Sequence, residues 1–379
     1  MAAHALHDKE GSMSSSSSSS SVNSNPERPD SPTTLFEDSL FTLFSHNQPA
    51  HGDPGDLCKY THVNLPSRYQ PASSSCKTTI RYKIAQNSGT NTKLFAHHQW
   101  DAGLYLADLI AEHSSEVVLG KQNCERFANV RGKYVVELGA GTGLPGLIAS
   151  VMGADKTVIT DYPDPYVIDN LESNLDLALQ PRKQSKVERN FNPHYLQARE
   201  KVQVMGLGWG NAEEEAKVLA ASSTQGGEEG YDLVLAADVL WVSSAHPLLI
   251  HSIRKLLKRN RNARCVLIAG FHTGRPAVRR FFVQLAQASS EDKHTLEDEI
   301  RAGVVPDWEE EKFGGIWERN IDGTQRAWFG GSVPIKADHH TRLAGKVNWA
   351  KEEVEEEMGD ISDRGSWVVV ASLRWADLD

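Results

Sequence analysis

No stretch of this chain is apolar for long enough to cross a membrane. The longest such run near its end is Trp367-Val-Val-Val-Ala-Ser-Leu373, well short of the ~18 residues that a span needs. Cysteine is scarce. Cys58, Cys76, Cys124 and Cys265 form no C-x-x-C pair, so neither a zinc ribbon nor a redox motif is readable, and a reducing compartment is expected. Met1 to Glu10 lacks the basic start and apolar core of a secretory signal. Positive charge is in deficit: 40 Lys and Arg against 50 Asp and Glu leave a net charge of -10. That argues against wholesale binding to nucleic acid or to an anionic membrane. His97-His98 and His339-His340 have no carboxylate or cysteine at ligand spacing beside them, so no metal is expected. The basic stretch Arg254 to Arg261 closes an expected helix and reads as its solvated end. A cytoplasmic monomer is the default expectation.

The hydrophobic fraction, 39% of 379 residues, is low for a wholly globular chain. The deficit concentrates in residues 1–75, a Ser/Pro-rich tail with an unbroken serine run from Ser14 to Ser21. Such a segment buries too little apolar surface to offset its ordering entropy, so the tail is expected to be largely disordered. Within it, Leu35 to Phe44 reads either as a short docking segment or as a weakly structured apolar patch.

Residues 76–379 read as a single domain. Strands are expected at Thr78–Ala85, Tyr134–Leu138, Thr157–Thr160, Lys201–Met205, Tyr231–Ala237 and Arg264–Ala269. Helices are expected at Ala102–Glu112, Pro145–Met152, Pro165–Leu179, His246–Lys258 and Pro276–Gln287. Strands alternating with helices predict an α/β fold around a mostly parallel sheet with right-handed crossovers. Two late runs, Arg326–Ser332 and Ser366–Trp375, predict an antiparallel edge pair. Polar insertions are expected near 211–229, 289–325 and 334–365.

The chemistry sits after the Tyr134–Leu138 strand, in Glu137-Leu-Gly139-Ala-Gly141-Thr-Gly143-Leu-Pro-Gly146. Glycines let the backbone turn sharply and approach a ligand, and the next helix offers its N-terminus. Gly141-x-Gly143-x-x-Gly146 fits a dinucleotide fingerprint. Glu137-x-Gly139-x-Gly141-x-Gly143 fits a loop that holds S-adenosyl-L-methionine, and the acidic Glu137 within the strand end favours this reading, because a carboxylate there suits the methionine amino group. Asp161 closes the next strand, where an acid accepts hydrogen bonds from a ribose diol. Ala237 and Asp238 reach the same edge from a later strand. Trp209 and Trp100 are placed to wall the cofactor. An NAD-type oxidoreductase would need a second-domain site with a placed acid, and none is readable. A non-catalytic relative that keeps the fold is the third class.

Trp100-Asp-Ala-Gly103, Val136 to Gly146, Thr160-Asp-Tyr-Pro-Asp-Pro165, Gly208-Trp-Gly210 and Ala237-Asp-Val-Leu-Trp241 together resemble the seven-β-strand lysine-methyltransferase-like family. The resemblance is nearest to its fungal branch, known as nicotinamide N-methyltransferase or elongation-factor N-terminal and lysine methyltransferase. It implies a Rossmann-like class I methyltransferase fold with a seven-stranded sheet. It also implies a cofactor site from Trp100, Gly139, Ala140, Gly141, Asp161, Trp209 and Ala237; Glu137, Gly143 and Tyr162 complete the expected cofactor residues. Departures fall at Leu94-Phe-Ala-His97, where the family has Leu-Trp-Gly-His, at Asp101 for Asn, and at Trp241 for Phe or Tyr.

The expected reaction is methyl transfer to nitrogen. Asp238 is the candidate to orient the acceptor or take its proton through water, or else it caps a loop; Trp241 would wall the acceptor pocket. A protein amine, with a translation elongation factor implied by the resemblance, is expected over a small amine such as nicotinamide. The insertions place Trp308, Trp317, Trp328, Asp307 and Glu309 to Glu311 where an open acidic cleft would steer a cation.

Overall fold

The computed structural model describes residues 51–68, 79–86, 98–115, 126–180, 191–222, 229–286, 303–307, 313–330, 365–376 and 378. Five parallel strands form the centre: β3 (Tyr134–Leu138), β4 (Lys156–Asp161), β5 (Val202–Gly206), β6 (Leu233–Ala237) and β7 (Arg264–Gly270). β1 (Leu57–Thr61) and β2 (Thr79–Lys83) make a separate antiparallel pair. The late strands are β8 (Val304–Pro306), β9 (Ile316–Asn320), β10 (Gln325–Ala327) and β11 (Trp367–Trp375). The main sheet runs β10-β9-β11-β7-β6-β3-β4-β5, with β8 alongside β11. Chain order reverses on either side of β3. In an open α/β sheet, that switch point opens a crevice at the strands' carboxyl ends.

Short apolar runs buried on both sides are what a covered parallel sheet requires. Val135, Leu233, Leu235, Val266, Ile268 and Val370 face one layer, with α1 (Asp101–His113), α2 (Leu144–Val151) and α3 (Pro165–Leu179). Val136, Val234, Ala236, Leu267 and Val369 face the other, with α6 (His246–Leu256) and α7 (Arg275–Ala286). Alternate residues of each strand thus serve opposite cores. α3 starts where expected because Pro165 has the φ that a first turn needs and Asp164 accepts from Tyr166 N at 2.9 Å.

Several expectations are corrected. The main sheet has nine strands rather than seven. β11 is no edge strand; it lies between β7 and β9, antiparallel to both, and the edge hairpin is β9 with β10. The stretch expected as a tail contains β1, whose Cys58 and Tyr60 are buried against the core, so the folded part begins upstream of residue 76. α4 (Pro193–Glu200) and α5 (Ala212–Ala221) fall where no helix was expected, α5 inside the 211–229 insertion. The 289–325 insertion contributes β8 and β9.

The basic stretch closes α6 as expected, and it also packs. Arg254 Nη2 donates to Leu285 O at 2.7 Å, and Lys258 Nζ bonds Asp232 at 2.9 Å. The serine run, Leu35 to Phe44, Cys76, Cys124, His97, His339-His340 and the 334–365 insertion, apart from Gly365, lie outside the described residues. Among the described residues no helix is long and apolar enough to cross a membrane, and no cluster of three or more acids, histidines or cysteines forms a metal set.

Candidate functional site

The loop after β3 is built around left-handed glycines. Gly139 has φ 64°, Gly141 φ 56° and Gly143 φ 74°, conformations that side-chain-bearing residues rarely adopt. At Gly139 an added Cβ would fall 2.9 Å from Val239 and 3.1 Å from Trp209, so only glycine lets the indole lie against the backbone. At Gly141 nothing lies within 4 Å of that position, which leaves bare backbone open for a ligand. Gly143 differs: its Cβ would meet Leu171 and Ile159, and it does not line the cavity. It turns the chain into α2.

Two carboxylates brace this loop from below. Glu137, 1% exposed, accepts from Gly146 N at 2.9 Å. Burial pushes its pKa from 4.5 up to about 8, opposed by the Gly146 bond and reinforced by the Asp161 charge. Asp161 Oδ2 accepts from Gly141 N at 2.7 Å and Oδ1 from Tyr162 N at 2.7 Å. Burial raises its pKa against the pull of those two bonds.

The Glu137 shift has a consequence for stability. The unfolded side chain gives up its proton near 4.5, whereas the folded one keeps it to about 8. The folded state binds more protons across that window, so its stability falls as pH rises through it. The thermal midpoint of the ligand-free protein should therefore drop between mildly acidic and mildly basic pH. Glu137→Gln should flatten the drop, as read by calorimetry; an unchanged slope in the variant would overturn the assignment.

The walls come from further away. Thr142 Oγ1 donates to buried Gln99 Oε1 at 2.6 Å, which ties the loop to Trp100. Trp100 has His98 at 5.2 Å on one side and His272 at 5.5 Å on another. Trp209 sits in a turn held by α5 and α6. Gly208 N donates to Glu214 Oε2 at 2.6 Å, and Gly210 N to Ser252 Oγ at 3.0 Å. The helix missed in the sequence thus positions an expected site residue. Asn174 on α3 spans β2 and the glycine loop, bonding Lys83 O and Thr142 O, each at 2.9 Å.

These parts enclose a cavity of about 340 Å³ at the switch point. It gathers Trp100, Glu137, Gly139, Ala140, Gly141, Asp161, Tyr162, Trp209, Ala237, Asp238 and Trp241, every expected site residue except Gly143. It also takes in Thr142 and Val239, inside those motifs, and His98, Gln99, Leu207 and Leu248, which carry no motif signal of their own. Among the described residues, Glu137, Asp161 and Asp238 are the carboxylates that line it, and no Lys or Arg does.

The expected acidic cleft is corrected. Trp317 is 2% exposed and packs edge-on to Phe127 in the core. Trp328 packs against Phe271 and Phe282. Asp307 is buried in ion pairs with Arg264 at 2.6 Å and Arg374 at 3.5 Å, so it steers nothing. Trp308 and Glu309 to Glu311 lie outside the described residues.

A glycine loop open at Gly141 fits S-adenosylmethionine, with a buried acid beneath its amino-acid end and Asp161 at the next strand for the ribose. This fold and site define a class I, S-adenosylmethionine-dependent methyltransferase. The chain belongs to the lysine methyltransferase family, whose model matches residues 80–288. Protein N-terminal and lysine N-methyltransferase EFM7 of Yarrowia lipolytica is 37% identical over 164 residues, 43% of this chain and 53% of that protein. The match thus spans about half of that relative's length. The protein of the same name from Gibberella zeae is 30% identical over 211 residues, 56% of this chain and 68% of that one. Among solved structures, Aeropyrum pernix fibrillarin with bound S-adenosyl-L-methionine matches at 14% identity and TM-score 0.24, over 41% of this chain and 50% of that one. That is too distant to bear on the site.

Proposed function

We propose that the protein transfers a methyl group to an amine of another protein, an N-terminal amine or a lysine. The observation that carries this is the charge of the cavity: Asp161 and Asp238 line it beside Glu137, which keeps its proton to about 8, and among the described residues no Lys or Arg does. Such a lining attracts a cationic ammonium at encounter, whereas a neutral pyridine gains little from it. The names of the fungal relatives, protein N-terminal and lysine N-methyltransferases, support the same acceptor class. The family resemblance adds a translation elongation factor as the first candidate, which would place the enzyme in the cytoplasm.

The glycine loop, Glu137 and Asp161 would hold S-adenosylmethionine, which would supply an electrophilic methyl for the acceptor nitrogen's lone pair, the C–S pair staying on sulfur and the amine losing a proton. The chain's own residues hold the reactants in line, and such alignment can supply roughly 7–11 kcal/mol in favourable cases. Ala237, Asp238 and Trp241 line the cavity at and after the end of β6, and in this reading Asp238 and Trp241 meet the acceptor.

Incubating purified enzyme with methyl-labelled cofactor and a methyl-depleted fungal lysate tests the acceptor. Label is expected in a protein band and, after proteolysis, on an α-amine or a lysine. Label confined to the small-molecule pool, with efficient methylation of added nicotinamide, would overturn the reading in favour of a metabolite.

A further inference from the structure

We propose that His272, held by Asp238, is the base that takes the proton an acceptor ammonium must lose before its nitrogen can attack. The inference rests on the amine-acceptor reading above and names the residue that makes such an acceptor reactive. Asp238 follows β6 and is one of two non-glycine residues in the described chain with positive φ, at 56°. Holding an aspartate there costs on the order of 1–3 kcal/mol, and the cost persists only where surrounding contacts fix it. Three contacts do so. Asp238 N donates to Ile268 O at 2.7 Å, its Oδ1 accepts from Gly270 N at 2.9 Å, and its Oδ2 lies 3.1 Å from His272 Nε2. The first two lace the end of β6 to the end of β7; the third aims the carboxylate at one nitrogen of the imidazole.

That contact sets the chemistry of the other nitrogen. A carboxylate accepts only from N–H, so it assigns the proton of the neutral ring to Nε2 and leaves the lone pair on Nδ1. Nδ1 makes no hydrogen bond among the described residues. The ring packs edge-on to Trp100 at 5.5 Å and stands behind Trp100 and Asp238, which line the cavity, while His272 itself is not among the lining residues. The imidazole is partly exposed, its side chain at 24%. Burial alone would lower its pKa below 6.5, but the Asp238 charge and hydrogen bond outweigh that and raise it. Burial raises the Asp238 pKa, and the His272 charge with the His272 and Gly270 bonds overcomes this, leaving the carboxylate below its usual range. An imidazole whose pKa lies near the working pH is suited to general-base work. Other titratable or charged groups on the elements packed here include His98, across Trp100, Asp101, which follows Trp100 and pairs with His51, and Arg275 on α7, which Glu318 holds; Glu137 and Asp161 line the same cavity. In the step itself, one proton passes from the acceptor ammonium to Nδ1, leaving a neutral amine and an imidazolium. Asp238 orients the ring and balances that charge, and is a positioning residue.

Two measurements decide it. The first is imidazole NMR of the ligand-free protein across a pH titration. His272 should titrate above 6.5, should carry its neutral-form proton on Nε2, and should titrate lower in Asp238→Asn. A neutral ring protonated on Nδ1, or no titration near neutrality, overturns the inference whatever the enzyme methylates. The second is kinetics on the labelled protein acceptor with His272→Gln, whose amide still donates to Asp238. Its kcat should fall by about 100-fold or more, with KM and the affinity for S-adenosylhomocysteine within about threefold of wild type. A kcat within about threefold of wild type sinks the proposal, as does a loss confined to KM or cofactor affinity, the mark of a structural role. Wild-type enzyme that labels no protein amine would instead sink the acceptor reading, and the imidazole titration would then judge His272 alone.

Discussion

Asp161→Ala should weaken the binding of S-adenosylhomocysteine by about two orders of magnitude or more, roughly 2.7 kcal/mol, in isothermal calorimetry. The side chain makes two bonds to backbone N–H groups, from Gly141 and Tyr162, each 2.7 Å. Hydrogen bonds to a charged acceptor are worth about 1.5–3 kcal/mol each. Removing both frees Gly141, the left-handed residue whose open backbone faces the ligand, from its anchor 20 positions away. In the expected cofactor pose the ribose would lose its acceptor in the same change. Asp161→Asn should cost less but still act, because one of the two N–H groups would then face an amide NH₂ instead of an oxygen. Circular dichroism would show that the fold persists, since β4 keeps its ladders to β3 and β5. An affinity within about threefold of wild type would show that Asp161 neither shapes the loop nor meets the cofactor.

The cofactor half of the site is legible in the sequence because its parts are local. A buried strand, a glycine-spaced turn and a helix start follow one another within Tyr134 to Val151, and each has its own periodicity or φ requirement. Asp161 is legible for the same reason, as the acid that ends the next strand. Pairings across long chain separations leave no such trace. His272 meets Asp238 over 34 residues, Asn174 meets Lys83 over 91, and nothing near any of them signals the partner. The placement of β11 is another case. Its apolar run predicts a strand, but whether it lies at the edge or between β7 and β9 depends on partners around residues 264 and 316. Tryptophan misleads in the other direction. Trp317 looks like a loop aromatic because polar sequence surrounds it, yet it sits on β9 with its ring in the core. α5 is hidden by its composition: three consecutive glutamates read as insertion. Asn211 caps the helix by accepting from Glu213 N and Glu214 N, and Glu214 and Glu215 then anchor the Trp209 turn.

Glu318→Ala should destabilise the protein by about 3–5 kcal/mol, the range for breaking one side of a buried ion pair. Glu318 on β9 is fully buried, and its carboxylate serves two guanidinium groups. Arg275 donates through Nε at 2.8 Å and Nη2 at 2.9 Å, and Arg326 through Nε at 2.9 Å and Nη2 at 2.7 Å. Arg275 is itself 2% exposed and lies 4.2 Å over the Phe271 ring, so without the carboxylate a cation stays in the core. Arg326, with its side chain 35% exposed, can turn toward water. Arg326→Ala should therefore cost only about 1 kcal/mol or less, while the Arg275 fork stays intact. Denaturant unfolding of both variants separates them. Replacing the buried pair together, Arg275→Met with Glu318→Leu, should restore much of the loss, because an apolar pair of similar volume needs no desolvation of charge. Arg275 opens α7 three residues after His272, so the same pair also fixes the chain that carries the proposed base. Glu318→Ala should accordingly lower kcat more than it lowers affinity for S-adenosylhomocysteine, because the glycine loop is braced by Glu137 on β3 and Asp161 on β4 rather than by Glu318. A loss below about 1 kcal/mol would mean that water reaches Arg275. Equal losses in kcat and cofactor affinity would mean that the whole sheet has loosened, with no selective effect on the end of β7.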